Sequence, residues 1–223
     1  MTEVARGVRQ LPALIPHFIN RWLLRTEAGD VLVDAGTRWD TGGLLASLRG
    51  ARLAMVALTH VHPDHQGAAH EVCARRGVPL ACHEADADVM EGTRPMGPRN
   101  LLSRFAQRAW SGPPHPVAIR WKGGERIGEW EVIHAPGHTR GHVVFFRWSD
   151  GVAVAGDVVR NASLRAGMGT LSETPWAFSE NPRLNRVSMR RLLDLEPSLL
   201  CLGHGPPTRD LAGFRRLVES LGE

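Results

Sequence analysis

The sequence Thr59-His60-Val61-His62-Pro63-Asp64-His65 contains the pattern His-x-His-x-Asp-His. A chain of this composition matches that pattern by chance with a probability on the order of one in a thousand. Residues two apart in an extended segment point the same way, so His60 and His62 can bind one metal ion. The proline then turns the chain into a helix, and Asp64 and His65 can face a second ion. Neutral imidazole and carboxylate are ligands that Zn²⁺, Mn²⁺ and Fe²⁺ accept, so the motif predicts a metal site.

Three further apolar runs each lead, within a few residues, to a side chain that can bind a metal. The pairs are run 130–133 with His138, run 152–155 with Asp157, and run 199–202 with His204. If these strands are parallel or suitably interleaved, their ends gather along one edge of the fold. A lone histidine near a strand end is usually structural. Four such endings, one of them the six-residue motif, favour a metal site.

Nine apolar runs predict strands, and helical patterns lie between some of them. The predicted strands are 21–25, 31–34, 54–59, 78–82, 117–121, 130–134, 143–148, 152–155 and 199–202. The predicted helices are 44–48, 65–76, 100–110, 183–195 and 211–221. The turns at 27–30 and 149–151 look like hairpin connections. Strands and helices mixed in this way indicate an α/β fold.

Length and composition predict one domain over residues 1–223. The chain is 43% hydrophobic and 22% charged, which argues against disorder. Its net charge is +4 without a run of basic residues, so nucleic acid is not favoured as a partner. The three cysteines form no CxxC pair, which indicates reduced thiols. No apolar stretch approaches a signal core or the ~20 residues of a membrane span. We therefore expect a cytoplasmic protein without membrane contact, whose oligomeric state stays open.

The order of the motifs resembles the metallo-β-lactamase superfamily over nearly the whole chain. HVHPDH (60–65) is followed by APGHTRGH (135–142), AGD (155–157) and LGHG (202–205), and the likeness begins at VLVDAG (31–36). This resemblance implies an α/β fold built as a four-layer αβ/βα sandwich, with the metals at one edge of its two sheets.

Carried over by motif, the resemblance implies two divalent metal ions, with Zn²⁺ favoured and Mn²⁺ and Fe²⁺ as alternatives. The first ion would be bound by His60, His62 and His138, the second by Asp64, His65 and His204, and Asp157 would bridge both. No member of this set is substituted, which favours a working enzyme. Two ions about 3.5–4 Å apart lower the pKa of a shared water, so a bridging hydroxide would be the nucleophile. Asp64 would orient that hydroxide or pass a proton to the leaving group.

Other polar residues near these motifs are expected to support the site. Asp34 resembles a buried family residue that hydrogen-bonds to the metal loops. His142 matches the family's second histidine in its motif and is expected to be structural. His17 and Asn20 precede the first predicted strand, in a region that often borders the pocket in this superfamily, and their involvement stays open.

Two stretches rich in Gly, Pro and Arg, 92–116 and 160–182, are long for simple connections. We expect them to form the pocket wall and to select the substrate, and whether either covers the site as a lid stays open. In the first stretch, the spacing of Leu, Phe and Trp predicts an amphipathic helix packed over an apolar surface. In the second, Trp176 could contact substrate, and Arg160 and Arg165 could meet an anionic group.

The resemblance implies hydrolysis of a small acyl molecule, which would be an ester, thioester, lactone or amide. A glyoxalase II carries an additional C-terminal helical domain, whereas only residues 206–223 follow the last ligand here. The chain therefore resembles glyoxalase II and lactonases without that domain. Two alternatives stay open. One is a phosphodiesterase or nuclease, and the other is a mononuclear iron enzyme similar to persulfide dioxygenases.

Overall fold

The computed structural model describes residues 1–13, 15–163 and 167–222. The first half of the chain builds a seven-stranded sheet whose strands lie in chain order. The first four strands are antiparallel to one another, and the last four run parallel. They are β1 (Thr2–Ala5), β2 (Val8–Gln10), β3 (Trp22–Thr26), β4 (Gly29–Val33), β5 (Leu53–Ala57), β6 (Leu80–His83) and β7 (Ile119–Trp121).

A five-stranded sheet follows, in the order β14-β11-β10-β9-β8. Strands β11 and β14 pair in parallel, and the other pairs are antiparallel. Strands β12 and β13 pair with each other in a separate two-stranded sheet. The strands are β8 (Arg126–Ile127), β9 (Trp130–His134), β10 (Val143–Arg147), β11 (Val152–Gly156), β12 (Arg160–Ser163), β13 (Gly167–Ser172) and β14 (Leu199–Leu202).

Among the described residues there are seven α-helices, and none of them is long and apolar enough to cross a membrane. Short 3₁₀ turns lie at Arg38–Asp40 and Trp176–Phe178. The helices are α1 (Thr41–Ser47), α2 (Pro63–Gln66), α3 (Ala69–Arg76), α4 (Glu84–Met90), α5 (Leu101–Trp110), α6 (Pro182–Asp194) and α7 (Leu211–Ser220).

Three apolar clusters stack these elements into four layers. One lies between the first sheet and α1, α3 and α4, as with Leu32 against Val72. The central one lies between the two sheets and holds Trp22 and Phe145. The third packs the second sheet against α6 and α7, where Phe214 is fully buried. Because burying both faces of each sheet requires this arrangement, the expected αβ/βα sandwich is confirmed.

Each of the nine predicted strands is found, with shifts of one to three residues at some ends, and both predicted hairpin turns connect antiparallel neighbours. The sequence patterns missed the edge strands β1 and β2 and the short helix α4. The helix predicted over 65–76 is wrong as one piece, since α2 ends at Gln66 and α3 starts at Ala69. Between them, Gly67 packs so tightly on the backbone of Thr37 that a Cβ would overlap it.

The two long stretches differ from their predicted form. The first contains α5, but Leu101 and Phe105 are 85% and 71% exposed, so the expectation that this apolar face packs over an apolar surface is wrong. Instead, α5 is oriented by the buried hydroxyl of Ser103, which donates a hydrogen bond to the Ala177 carbonyl at 3.0 Å. The second stretch contains β12, β13 and a 3₁₀ turn rather than irregular loop alone. Arg165 lies outside the described residues.

The close contact at Gly67 generates a test of the break between α2 and α3. We expect Gly67→Ala to lower the free energy of unfolding by about 2 kcal/mol, because the added methyl meets backbone that cannot move aside. Urea denaturation of chelator-treated protein measures this. Gly43→Ala in α1 is the matched control, since its new Cβ would meet nothing and should be neutral or stabilising. Equal stability for the two variants would contradict the packing described here.

Candidate metal centre

The metal-capable residues lie at one edge of both sheets, where strands end. His60 and His62 follow β5, and α2 then carries the next two. His138 lies in the turn between β9 and β10. Parallel pairing of β11 with β14 sets Gly156 opposite Leu202, so Asp157 and His204 leave adjacent strands side by side. The expectation that distant strand ends meet at one edge is therefore met in the structure.

The seven residues predicted as ligands come together in this place. Three groups have potential ligand atoms within 4.8 Å of one another: His60, His62 and His138; His60, His65 and Asp157; and Asp64, His65 and His204. The Asp157 carboxylate lies between the groups. Its oxygens are 3.7 Å from His138 Nε2, 3.6 Å from His65 Nε2 and 3.1 Å from His204 Nε2. This central position is the one that a bridging ligand requires.

Each of the five imidazoles has its outer nitrogen held by an oxygen. The contacts are His60 Nδ1 with Thr59 Oγ1, His62 Nε2 with the Gly97 carbonyl, His65 Nδ1 with Asp34 Oδ2, His138 Nδ1 with Ser179 Oγ, and His204 Nδ1 with the Phe18 carbonyl. Carbonyl and carboxylate oxygens accept hydrogen bonds only, so the outer nitrogens of His62, His65 and His204 carry the proton when the ring is neutral. Their inner nitrogens then present lone pairs to the centre, as in metal sites.

The inner atoms fit a cation better than they fit one another. His60 Nε2, His65 Nε2 and Asp157 Oδ1 are buried without a hydrogen-bond partner. His62 Nδ1 faces His138 Nε2 at 2.9 Å. Buried polar atoms are costly unless they are satisfied, and converging imidazole and carboxylate lone pairs are satisfied by divalent metal ions. The residues present therefore fit the metal centre that the motifs predicted.

The two halves of the cluster differ in their electrostatics. Burial, and then the neighbouring imidazoles, hold the pKa of His60 and of His138 well below the usual value. Burial acts in the same direction on His65 and His204, but nearby carboxylates outweigh it and raise their pKa to about 9 and about 10. The first half thus keeps its lone pairs, and the second half attracts positive charge.

The carboxylates respond in the opposite sense. Burial would raise the pKa of Asp64 and Asp157, but His65 and His204 lower both pKa values below the usual range. Both groups therefore stay ionised, as ligands to a cation must be.

Asp34 supports the site as expected, without facing its centre. It adopts a left-handed backbone conformation, with φ of 61°. Its carboxylate accepts hydrogen bonds from the Thr59 backbone NH at 2.9 Å and from the Thr59 hydroxyl at 2.8 Å, and it holds His65 Nδ1 at 2.8 Å. One buried side chain thus fixes the start of the motif and the orientation of a ligand.

His142 and the two open residues have structural contacts. His142 Nε2 accepts a hydrogen bond from the Asp157 backbone NH at 3.0 Å, and its ring stacks on His60. Asn20 is buried and donates to the carbonyls of Leu202 and Gly205, which fixes the loop that carries His204. Neither Asn20 nor His17 lines the pocket.

Asp86 is the supporting residue that sequence analysis missed. Its buried carboxylate accepts hydrogen bonds from the backbone NH of Val61 at 3.2 Å, the hydroxyl of Thr139 at 2.6 Å and the backbone NH of Gly141 at 2.9 Å. It therefore joins the loop of the first motif to the loop of His138. No sequence signal pointed to it, because it lies on a short helix outside every motif.

A cavity of about 210 Å³ opens above the cluster. Both long stretches line it, as expected. The first contributes Gly97, Pro98, Ser103, Ala106, Gln107 and Trp110, and the second contributes Arg160, Thr174, Pro175 and Phe178. Phe18 lines it as well, whereas Trp176 is 76% exposed and outside the lining. The metal-capable residues thus form the floor of a largely apolar pocket.

A two-sheet α/β sandwich with histidines and carboxylates converging at its edge defines a class of metal-binding enzyme. The sequence model of the metallo-beta-lactamase superfamily matches residues 14–204. The chain therefore belongs to the metallo-β-lactamase superfamily, as its motifs indicated.

Relatives agree with this membership. The chain is 29% identical to the probable metallo-hydrolase YflN of Bacillus subtilis (strain 168), over 92% of this chain and 86% of that protein. It is 28% identical to a hydroxyacylglutathione hydrolase of Acidiphilium cryptum (strain JF-5), over 95% of this chain and 73% of that one. The solved structure of TTHA1623 in a di-iron-bound form superposes with a TM-score of 0.70 at 28% identity, covering 93% of this chain and 97% of its own. Family and relatives together make this chain a metal-dependent hydrolase.

The contacts of Asp86 generate a second test. We expect Asp86→Asn to lower the free energy of unfolding by about 1–3 kcal/mol, because an amide cannot accept all three buried hydrogen bonds. The same variant should bind Zn²⁺ more weakly, because two ligand loops lose their common anchor. Urea denaturation and competition with a chelator measure the two effects. Asp88→Asn, on the exposed face of the same helix, is the control, and matching results for both variants would contradict this role.

Proposed function

We propose that the chain is a binuclear metal hydrolase that cleaves small acyl molecules, with Zn²⁺ as the favoured ion. The observation that carries this proposal is the position of seven metal-capable side chains on the floor of a small apolar pocket. His60, His62 and His138 would hold one ion. Asp64, His65 and His204 would hold the other, with Asp157 shared between them. When bound, two such ions activate a water molecule and polarise the substrate carbonyl.

Asp64 is the residue best placed to move a proton. Its carboxylate lines the pocket, and its Oδ2 lies 3.3 Å from His204 Nε2. The low pKa of Asp64 keeps the group ionised, so it can accept a proton from water and pass it to the leaving group. The described chain offers no serine nucleophile motif for a covalent route, and none is needed.

The pocket wall favours a small acyl substrate over a polymer. Ala106, Trp110 and Phe178 give apolar surface for an acyl body, and the enclosed volume excludes bulk water. The pocket lacks the continuous basic track with stacked aromatic residues that single-stranded nucleic acid requires, within the lining that the structure describes. The similarity to proteins named hydroxyacylglutathione hydrolases also supports an acyl substrate.

A substrate panel with metal analysis tests the proposal. Metal-replete protein should contain close to two transition-metal ions per chain and should hydrolyse at least one of an ester, a thioester, a lactone and an amide. Turnover of a phosphodiester alone would favour the nuclease alternative. A metal content that stays near one, together with persulfide oxidation, would favour the mononuclear iron alternative.

Replacement of Asp157 tests the shared ligand. We expect Asp157→Ala to lower turnover at least roughly 100-fold, because two ions would lose their common carboxylate and repel each other. Metal analysis should show fewer ions per chain while far-UV circular dichroism shows a folded protein. Asp194→Ala, on the exposed end of α6, is the matched control. Wild-type metal content and turnover in Asp157→Ala would refute the shared position.

A further inference from the structure

Arg160 is a charged residue of the pocket wall with no partner. It starts β12, three residues after Asp157, and it lines the cavity. Its Nε is buried without a hydrogen-bond partner, and its guanidinium forms no ion pair with any residue that the structure describes. Since a buried charged donor is costly unless paired, an acceptor from outside the chain would satisfy it.

The backbone around Arg160 is fixed rather than loose. The Asn161 backbone NH donates to the His204 carbonyl at 3.0 Å, and Asn161 Nδ2 donates to the Pro206 carbonyl at 2.9 Å. Burial and, to a smaller extent, the charge of Arg160 act to lower the pKa of His204, so the guanidinium lies close to that side chain. Arg160 is therefore held beside the floor of the pocket, unlike an arginine extended into solvent.

The rest of the wall is neutral. Apart from the five proposed metal ligands in the lining, Arg160 is the one charged residue among the described residues that border the cavity. Phe18, Trp110 and Phe178 are apolar, and Gln107 is uncharged. A single cation in an apolar wall discriminates in favour of an anion, because no neighbouring carboxylate competes for it.

We propose that Arg160 binds a carboxylate of the substrate, so that this enzyme selects acyl compounds that carry a carboxylate near the scissile carbonyl and an apolar body against α5. This inference rests on the proposed function. A guanidinium presents two parallel N–H donors that match one carboxylate, whereas a phosphate dianion calls for more donors than a lone arginine supplies.

Arg160 takes no part in the bond changes. Water adds its oxygen to the acyl carbon, the bond from that carbon to the leaving group breaks, and a proton passes to the leaving group. The guanidinium keeps its charge throughout and fixes the substrate's position. Arg160 is thus a specificity-determining residue, and its replacement should act on substrate preference more than on the common chemistry.

Paired substrates test this in the metal-loaded enzyme. The pair consists of 4-nitrophenyl esters with acyl chains of equal length, one ending in a carboxylate and the other in a carboxamide. We expect Arg160→Gln to lower the ratio of kcat/KM for the two esters roughly tenfold to a hundredfold, and Arg160→Lys to restore part of it. Arg183→Gln, exposed at the start of α6, is the charge-matched control and should keep the ratio. An unchanged ratio in a folded Arg160→Gln variant would overturn the proposal.

A binding measurement separates this inference from the proposed function. Calorimetry on metal-loaded protein compares butanoate, butanamide and butyl phosphate. The preference for butanoate should disappear in Arg160→Gln. A preference that persists there would mean that the anion binds the metals alone, and a larger loss for butyl phosphate would mean a phosphate site, so either result overturns the carboxylate assignment. If wild type hydrolyses no acyl compound but shows the Arg160-dependent preference, the proposed function fails and the carboxylate site stands.

Discussion

Buried lone pairs that converge on one small volume are the constraint on which this structure depends. Five imidazoles can point their inner nitrogens at a common centre only if their outer nitrogens are held elsewhere. An oxygen performs this task for each ring, from Asp34 in the first sheet to the Phe18 carbonyl near the N-terminus. Because a rotated ring would leave both nitrogens unsatisfied, these contacts determine the site as much as the ligands do.

The same contacts join the metal centre to the pocket wall. The Gly97 carbonyl that holds His62 precedes α5, and the Ser179 hydroxyl that holds His138 follows the second 3₁₀ turn. These wall segments are also joined to each other, since Asn100 Nδ2 and the Ser103 hydroxyl both donate to the Ala177 carbonyl. A change of backbone length in the wall would therefore displace a ligand. Side-chain replacement on the pocket face of α5 alters the cavity without that consequence.

The sequence predicted the ligands well because ligand chemistry depends on side-chain type and spacing, both of which are visible in a motif. It could not predict Gly97 and Phe18, whose backbone carbonyls act through position alone and carry no residue signature. Asp86 was missed for a related reason, since its three donors come from segments distant in the chain. The orientation of α5 was wrong because periodicity shows which residues share a face, but not whether that face meets the protein or the solvent.

The ligands also come from both sheets, which has an energetic consequence. His60 follows a strand of the first sheet, whereas Asp157 and His204 follow strands of the second. Between the sheets at this edge, the structure provides a hydrogen bond from the Val143 backbone NH to the Thr59 carbonyl at 2.8 Å. Metal ions bound across that junction would connect the two halves of the sandwich, and their binding free energy would add to the free energy of unfolding. The Asp86 carboxylate makes a similar connection without metal, and it therefore keeps the ligand loops in place before any ion binds.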